Sequence, residues 1–265
     1  MTHVALVTGA NHGIGAAVAR RLAARGVGVV VSYLRLDDPP DPSRPATYST
    51  NRAGGADAVL ADIGAAGGRA IAVEADLSEP AAVATLFDRA EAELGPVDIL
   101  INNASGWVQD TFSQARTDRL GRSMQAVSAA TFTRQFAVDA MAPALLIAEL
   151  ARRHAARGAT WGRIVGLTSG GPMGFPSEVS YGAAKAAQEN YTMAASVELA
   201  DLGITANMLY PPVTDTGWIT DSVRELVRTS ADHVHVATPD QVAEVIDFMV
   251  SDAGALLTGN TIHLR

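Results

Sequence analysis

Tyr181 and Lys185 stand four residues apart in the Ala-rich stretch SYGAAKAA. On a helix, that spacing puts both side chains on one face, one turn apart. A free phenol has a pKa of ~10 and is a poor base at neutral pH. Lowering it by ~3 units takes ~4 kcal/mol of preference for phenolate. A cation ~5 Å away, at an effective dielectric near 20, supplies ~3 kcal/mol of that. Tyr181 and Lys185 are therefore expected to form a general acid/base pair with a lowered phenol pKa. Ser169, twelve residues before Tyr181, ends an apolar run. It is placed to hydrogen-bond a substrate oxygen and stabilise developing alkoxide charge. The basic residues add a further sign: of the 20, 19 are Arg and the only Lys is Lys185. A solvated face has no need of Lys over Arg, whereas a compact, mobile ammonium does a different job from a planar guanidinium.

A second cluster lies near the N-terminus. The apolar run Val4–Val7 leads into Thr8-Gly9-Ala10-Asn11-His12-Gly13-Ile14-Gly15, and helical spacing begins at once. Glycines let the backbone turn tightly and approach a pyrophosphate, and a helix N-terminus offers unpaired N–H groups and partial positive charge. A glycine trio set between a first strand and a first helix is a dinucleotide signal.

These residues need a frame. Val4–Val7, Val27–Tyr33, Ala70–Glu74, Asp98–Ile101, Arg163–Thr168, Ile204–Leu209 and Thr261–Leu264 read as strands. Most are continuous apolar runs, as expected of strands covered on both faces. Gly13–Arg25, Asp57–Ala66, Pro80–Leu94, Ala129–Ala156, Ser180–Leu202 and Asp240–Ser251 carry helical spacing between them. The alternation predicts an α/β fold, a doubly wound parallel sheet of about seven strands with helices on both faces, and the length allows one or two domains. Two segments break the pattern. Residues 37–52 hold four of the twelve prolines and are expected as an exposed insertion after the second strand. Residues 211–237 follow the sixth strand and are expected as a loop that lids a site, because ligands in such folds sit beyond the carboxyl ends of the strands.

Composition narrows the function. The chain of 265 residues is 48% hydrophobic and carries a net charge of −8, which disfavours nucleic-acid binding. It contains no cysteine, so disulfide and thiolate chemistry are excluded. No apolar run spans a bilayer and no basic leader opens the chain, so a cytoplasmic protein is expected. The six histidines show no metal-ligand spacing, and no Gly-x-Ser-x-Gly elbow surrounds Ser169.

Thr8-Gly9 through Gly13-Ile14-Gly15, with Tyr181-x-x-x-Lys185 and Ser169, resembles the short-chain dehydrogenase/reductase family. Further matches follow in order: Asp76-Leu77, Asn102-Asn103-Ala104-Ser105, Pro211-x-x-x-x-Thr216 and Thr258-Gly259. The resemblance covers residues 3–264 and implies a Rossmann-type fold in a single domain over residues 1–265. It implies interconversion of a carbonyl and a secondary alcohol by hydride transfer, with Tyr181 as proton donor and Ser169 orienting the oxygen. It also implies cofactor contacts from Gly9, Asn11, His12, Gly13, Ile14 and Gly15, from Asp76 and Leu77, and from Asn103, Ala104 and Ser105. Tyr181, Lys185, Pro211, Val213 and Thr216 complete the cofactor set. The chain looks most like 3-oxoacyl-(acyl-carrier-protein) reductase-type members. A pteridine reductase-like enzyme and a non-catalytic NADP(H)-binding module are the alternatives. In one respect the chain departs from the pattern: where the family carries an Asn thought to hold a water for proton relay, this sequence has Asp139. An Asp accepts from such a water but cannot donate as an amide does.

NAD-selective folds usually place an acid at the end of the second strand. Here that end reads Ser32-Tyr33-Leu34-Arg35, and Arg35 and His12 are expected to face a ribose 2′-phosphate, so NADP(H) is preferred over NAD(H). Trp107, Met173, Phe175, Trp218 and Ile219 follow strand ends and are expected to line a pocket for an apolar carbonyl substrate. The helices Ala129–Ala156 and Ser180–Leu202 carry more apolar residues than one buried face needs. Small residues Ala183, Ala184, Ala187 and Ala194 permit close approach of another helix, and the resemblance implies a homodimer or homotetramer.

Overall fold

In the computed structural model, which describes residues 3–38, 41–171 and 173–265, the expected strands assemble into one parallel sheet. The elements in chain order are β1 (Val4–Val7), α1 (Gly13–Ala24), β2 (Gly28–Tyr33), α2 (Ala46–Ala53), α3 (Asp57–Ala65), β3 (Ala70–Glu74), α4 (Ala81–Glu93) and β4 (Ile99–Asn102). Then come the two-residue strands β5 (Asp110–Thr111) and β6 (Gln125–Ala126), α5 (Ala129–Phe136), α6 (Ala142–Ala156), β7 (Gly162–Leu167) and α7 (Val179–Glu198). The chain closes with β8 (Ile204–Tyr210), α8 (Asp221–Thr229), α9 (Pro239–Val250) and β9 (Thr261–His263). The seven-stranded sheet runs β3-β2-β1-β4-β7-β8-β9, so the winding reverses between β1 and β4.

Alternation along each strand divides the core between the two faces. Ala5, Val7, Val29, Val31, Ile99 and Ile101 point into one core with α1, α3 and α9. Val4, Leu6, Val30, Leu100 and Ile164 point into the other with α4, α6 and α7. Burial on both faces accounts for the unbroken apolar runs that identify the strands.

Three expectations are corrected. Residues 37–52 are not simply exposed: apart from Pro39 and Pro40, which lie outside the described residues, they fold back, form α2 and bury Arg52. Residues 211–237 are not all loop but contain α8, capped by the Thr220 side chain accepting from the Val223 N–H. The single helix expected over Ala129–Ala156 is interrupted by a π turn at Ala137–Met141, where the Ala142 N–H reaches back to the Ala137 carbonyl. Pro143 has no N–H to give the Asp139 carbonyl, which is the physical reason for the wider turn.

Candidate active site

The carboxyl ends of β1, β2, β4, β7 and β8 open onto a continuous cleft of about 1940 Å³. Pockets for single small ligands hold roughly 300–1,000 Å³, so this cleft accommodates a dinucleotide and a second molecule together. Gly9, Asn11, His12, Gly13 and Ile14 line one end, with Tyr33, Asp76 and Leu77 beside them. Asn103, Ala104 and Ser105 line its middle, and Pro211, Val213 and Thr216 lie on the side of β8.

The glycine turn is tied to the end of β4. The Thr8 hydroxyl accepts from the N–H groups of Asn103 and Ala104, both at 3.0 Å. The Asn103 amide donates to the carbonyls of Thr8 and Gly9 at 2.8 and 3.0 Å. Gly13 has φ +56°, and a Cβ there would come within 2.9 Å of the Thr216 side chain. At Gly15, which itself sits behind the cleft, a Cβ would lie 2.6 Å from the Asn103 amide nitrogen. The result is a bare backbone cradle at the N-terminus of α1, the shape and polarity a pyrophosphate requires. The Ser32 hydroxyl also lines the cleft, and among the described residues it has no hydrogen-bond partner.

Ser169, Tyr181 and Lys185 meet in the same cleft, brought there from the end of β7 and the first two turns of α7. The Lys185 ammonium lies 5.7 Å from the centre of the Tyr181 ring. It is not free to act on the phenol alone: Asp139 Oδ1 stands 3.0 Å from it, with both side chains buried. Lys185 also donates to Gln188 Oε1 at 3.1 Å. The other carboxylate oxygen of Asp139 accepts from the Gly106 N–H at 2.8 Å and the Gln135 amide at 2.6 Å. The π turn places Asp139 behind the cleft wall, where it touches Lys185 without lining the cleft itself.

The expected lowering of the Tyr181 pKa is reversed. Burial pushes the phenol up from its ordinary value, the Asp139 carboxylate and then Glu178 push it further, and the Ser169 hydroxyl opposes them. Lys185, paired with Asp139, has its charge largely cancelled as seen from the phenol. Within the chain alone, burial and the neighbouring carboxylates thus favour the neutral form of the Tyr181 phenol.

Trp107, Phe175 and Trp218 line the cleft beyond Tyr181, and the Phe175 and Tyr181 rings lie 5.8 Å apart. The Trp107 indole donates to Glu178 at 2.7 Å, and Arg122 donates to the same carboxylate at 2.8 Å. The other two expected pocket residues are elsewhere. Met173 is 90% exposed, and Ile219 packs inward as a buried residue; neither lines the cleft. Arg35 is also displaced: Glu74 holds its guanidinium at 2.6 Å on the exposed side of β2 and β3. Glu178, Arg122, Tyr48 and Arg52 line the cleft without having been marked by sequence reasoning. The signal for Glu178 was its place three residues before Tyr181; for the others, position depends on how remote segments fold together.

Three comparisons bear on the whole arrangement. A family model described as enoyl-(acyl carrier protein) reductase matches residues 9–264. A 3-oxoacyl-[acyl-carrier-protein] reductase of Synechocystis is 34% identical over 98% of this chain and 94% of its own. Cis-4-hydroxycyclohexanecarboxylate dehydrogenase of Sinomonas cyclohexanicum is 34% identical over 97% of this chain and 92% of its own. Among solved structures, an angucycline C-6 ketoreductase with bound NADP superposes with a TM-score of 0.77, at 30% identity, covering 98% of this chain and 93% of that one. With the sheet order, the glycine cradle and the Ser169–Tyr181–Lys185 cluster, these similarities make the chain a member of the short-chain dehydrogenase/reductase family of oxidoreductases.

Proposed function

We propose that this protein is an NADP(H)-dependent ketoreductase that converts an apolar ketone to a secondary alcohol. The observation that carries the reading is the meeting of Ser169, Tyr181 and Lys185 in one cleft that also contains the glycine cradle. The cradle from Gly9 to Ile14 holds the pyrophosphate, and Asn103, Ala104, Pro211, Val213 and Thr216 hold the remainder of the dinucleotide. When bound, the nicotinamide supplies the hydride. Ser169 donates a hydrogen bond to the carbonyl oxygen, and Tyr181 delivers the proton that oxygen needs as it becomes an alkoxide. Lys185 steadies Tyr181 and the ribose side of the cleft. Asp139, paired with Lys185, is the group through which a proton relay would pass in this reading. NADP(H) rather than NAD(H) is supported by the absence of an acid at Tyr33 to Leu36 and by the NADP bound in the similar ketoreductase.

The substrate class follows from the wall of Trp107, Phe175 and Trp218, which suits a large apolar group next to the carbonyl. A 3-oxoacyl chain on a carrier thioester fits this wall and agrees with the Synechocystis relative. A polycyclic aromatic ketone is the second reading, favoured by the ring-bearing wall itself and by the angucycline ketoreductase neighbour. The test is NADPH consumption by purified protein against 3-oxoacyl thioesters, bicyclic aromatic ketones and small charged keto acids. Turnover of either of the first two groups supports the reading. A strong preference for the keto acids, or NADPH binding with no turnover of any ketone, would overturn it.

A further inference from the structure

The inserted helix α2 brings one cation into the cleft beside the carboxyl end of β2. Arg52 is only 8% exposed, yet it lines the cleft. Its Nε donates to Asp38 at 2.7 Å, and among the described residues its two terminal nitrogens make no hydrogen bond. The Leu36 N–H donates to the Arg52 carbonyl at 2.9 Å, which fixes the end of α2 beside the chain leaving β2. The glycine turn is fastened to the same place: the Asn11 amide donates to the Gly54 carbonyl at 2.8 Å. His12 lies close enough for the charge of Arg52 to act on its imidazole. Arg35, by contrast, is bound to Glu74 outside the cleft.

We propose that Arg52, with His12 as a second donor, is the residue that selects a phosphomonoester on the adenosine ribose, and that Arg35 has no part in it. The inference rests on the nicotinamide-cofactor reading above. A guanidinium held by its Nε keeps the fork of terminal N–H groups for phosphate oxygens, an arrangement a lone exposed Arg lacks. Burial enlarges the effect, because a charge of about two units on the phosphate meets Arg52 in a medium less screening than water. Burial also accounts for Asp38, whose carboxylate pairs with Arg52 and, at 3.4 Å, with Arg134. The buried guanidinium would otherwise be uncompensated in the free protein. His12 is held below its ordinary pKa, first by burial and then by Arg52, so it serves as a neutral N–H donor while Arg52 carries the charge.

The experiment measures dissociation constants for NADPH and NADH, and for 2′,5′-ADP and 5′-AMP, by calorimetry on the wild type, Arg52→Gln, Arg52→Lys and Arg35→Gln. Thermal unfolding of each protein is followed alongside. The wild type should bind NADPH and 2′,5′-ADP at least 30-fold more tightly than their unphosphorylated counterparts. Arg52→Gln should remove most of that ratio while NADH and 5′-AMP change by less than threefold. Arg52→Lys should keep part of the ratio, and Arg35→Gln should keep all of it. Equal losses for phosphorylated and unphosphorylated ligands in both Arg52 variants would overturn the assignment by making Arg52 merely structural. Loss of the ratio in Arg35→Gln would overturn it in favour of Arg35. A wild type that binds NADH as tightly as NADPH would overturn it while leaving the nicotinamide reading intact. A wild type that binds neither dinucleotide would overturn both.

Discussion

Burial and the carboxylate of Asp139, which also pairs with Lys185, push the Tyr181 phenol above the ordinary tyrosine range. In the proposed mechanism reduction uses the neutral phenol, so its rate should stay level through the neutral range and fall only at strongly alkaline pH. Oxidation uses the phenolate, so its rate should rise about tenfold per pH unit on the alkaline side. Replacing Asp139 by Asn removes the negative charge and frees the field of Lys185. The phenol pKa should then drop and the oxidation limb move toward neutral pH by about one unit, equivalent to ~1.4 kcal/mol. Steady-state pH profiles of wild type and Asp139→Asn check this; superimposable profiles would remove Asp139 from the chemistry. Tyr181→Phe should lower the reduction rate by at least about 100-fold, in line with loss of a general acid, while NADPH binding by calorimetry changes by less than threefold. Retention of a tenth of the wild-type rate would show that some other group supplies the proton. The relation of Tyr181 to Lys185 was legible because a spacing of four fixes it on one helix, and that of the glycines because they fall between the first apolar run and the first helix, whereas Ser169 sits on a separate element and was found by its place in the motif. Arg52 and Tyr48 were not, since nothing local says that a polar, Pro-rich stretch folds back over the cleft.

At the scale of elements, α7 carries Tyr181 and Lys185, and its start is fixed by a residue far off in sequence. Asp110, fully buried in β5, accepts from the Ser180 N–H at 2.9 Å and from the Ser180 hydroxyl at 2.5 Å. Truncation by Asp110→Ala leaves both donors unpaired in the interior, at a cost of about 1–3 kcal/mol. The unfolding midpoint should fall by about 5 °C, given about 2–4 °C per kcal/mol for a chain approaching this size. Because Tyr181 is the next residue, kcat should fall by more than KM rises. Thermal unfolding and steady-state kinetics on the same preparation test this, and an unchanged midpoint would show that Ser180 finds other partners. The buried strands of the sheet could be read from their apolar runs, whereas β5 and β6, two residues each, leave no periodic trace. Helix α2 buries only Arg52 and so presents no apolar stripe by which a helix is recognised, whereas α8 carries a short one, Val223, Leu226 and Val227, that a loop reading of residues 211–237 passes over. The interruption at Asp139 was half visible: Pro143 signalled a kink, but a local signal does not tell a kink from the π turn that the missing N–H produces here.

On the scale of the whole molecule, the outer faces of α6 and α7 bear exposed Leu145, Tyr191 and Val197, and Phe112 and Phe132 project near α5. A homo-oligomer built through α6 and α7 is expected to cover them. Sedimentation at micromolar concentration should give a mass of a dimer or tetramer, and Leu145→Glu combined with Tyr191→Glu should shift it toward the 27.5 kDa of one chain. A wild type already sedimenting at 27.5 kDa would defeat the expectation. The solitary lysine has a further consequence for the intact protein. Lys185 is the only side-chain amine in 265 residues and is 2% exposed. Acylating reagents should therefore modify the folded enzyme at its α-amino group and almost nowhere else. Acylation of Lys185 requires the buried centre to open, so its slow rate, read by mass spectrometry, measures the free energy of that opening. The chain thus carries its own amine-specific gauge of how firmly its reaction centre is closed.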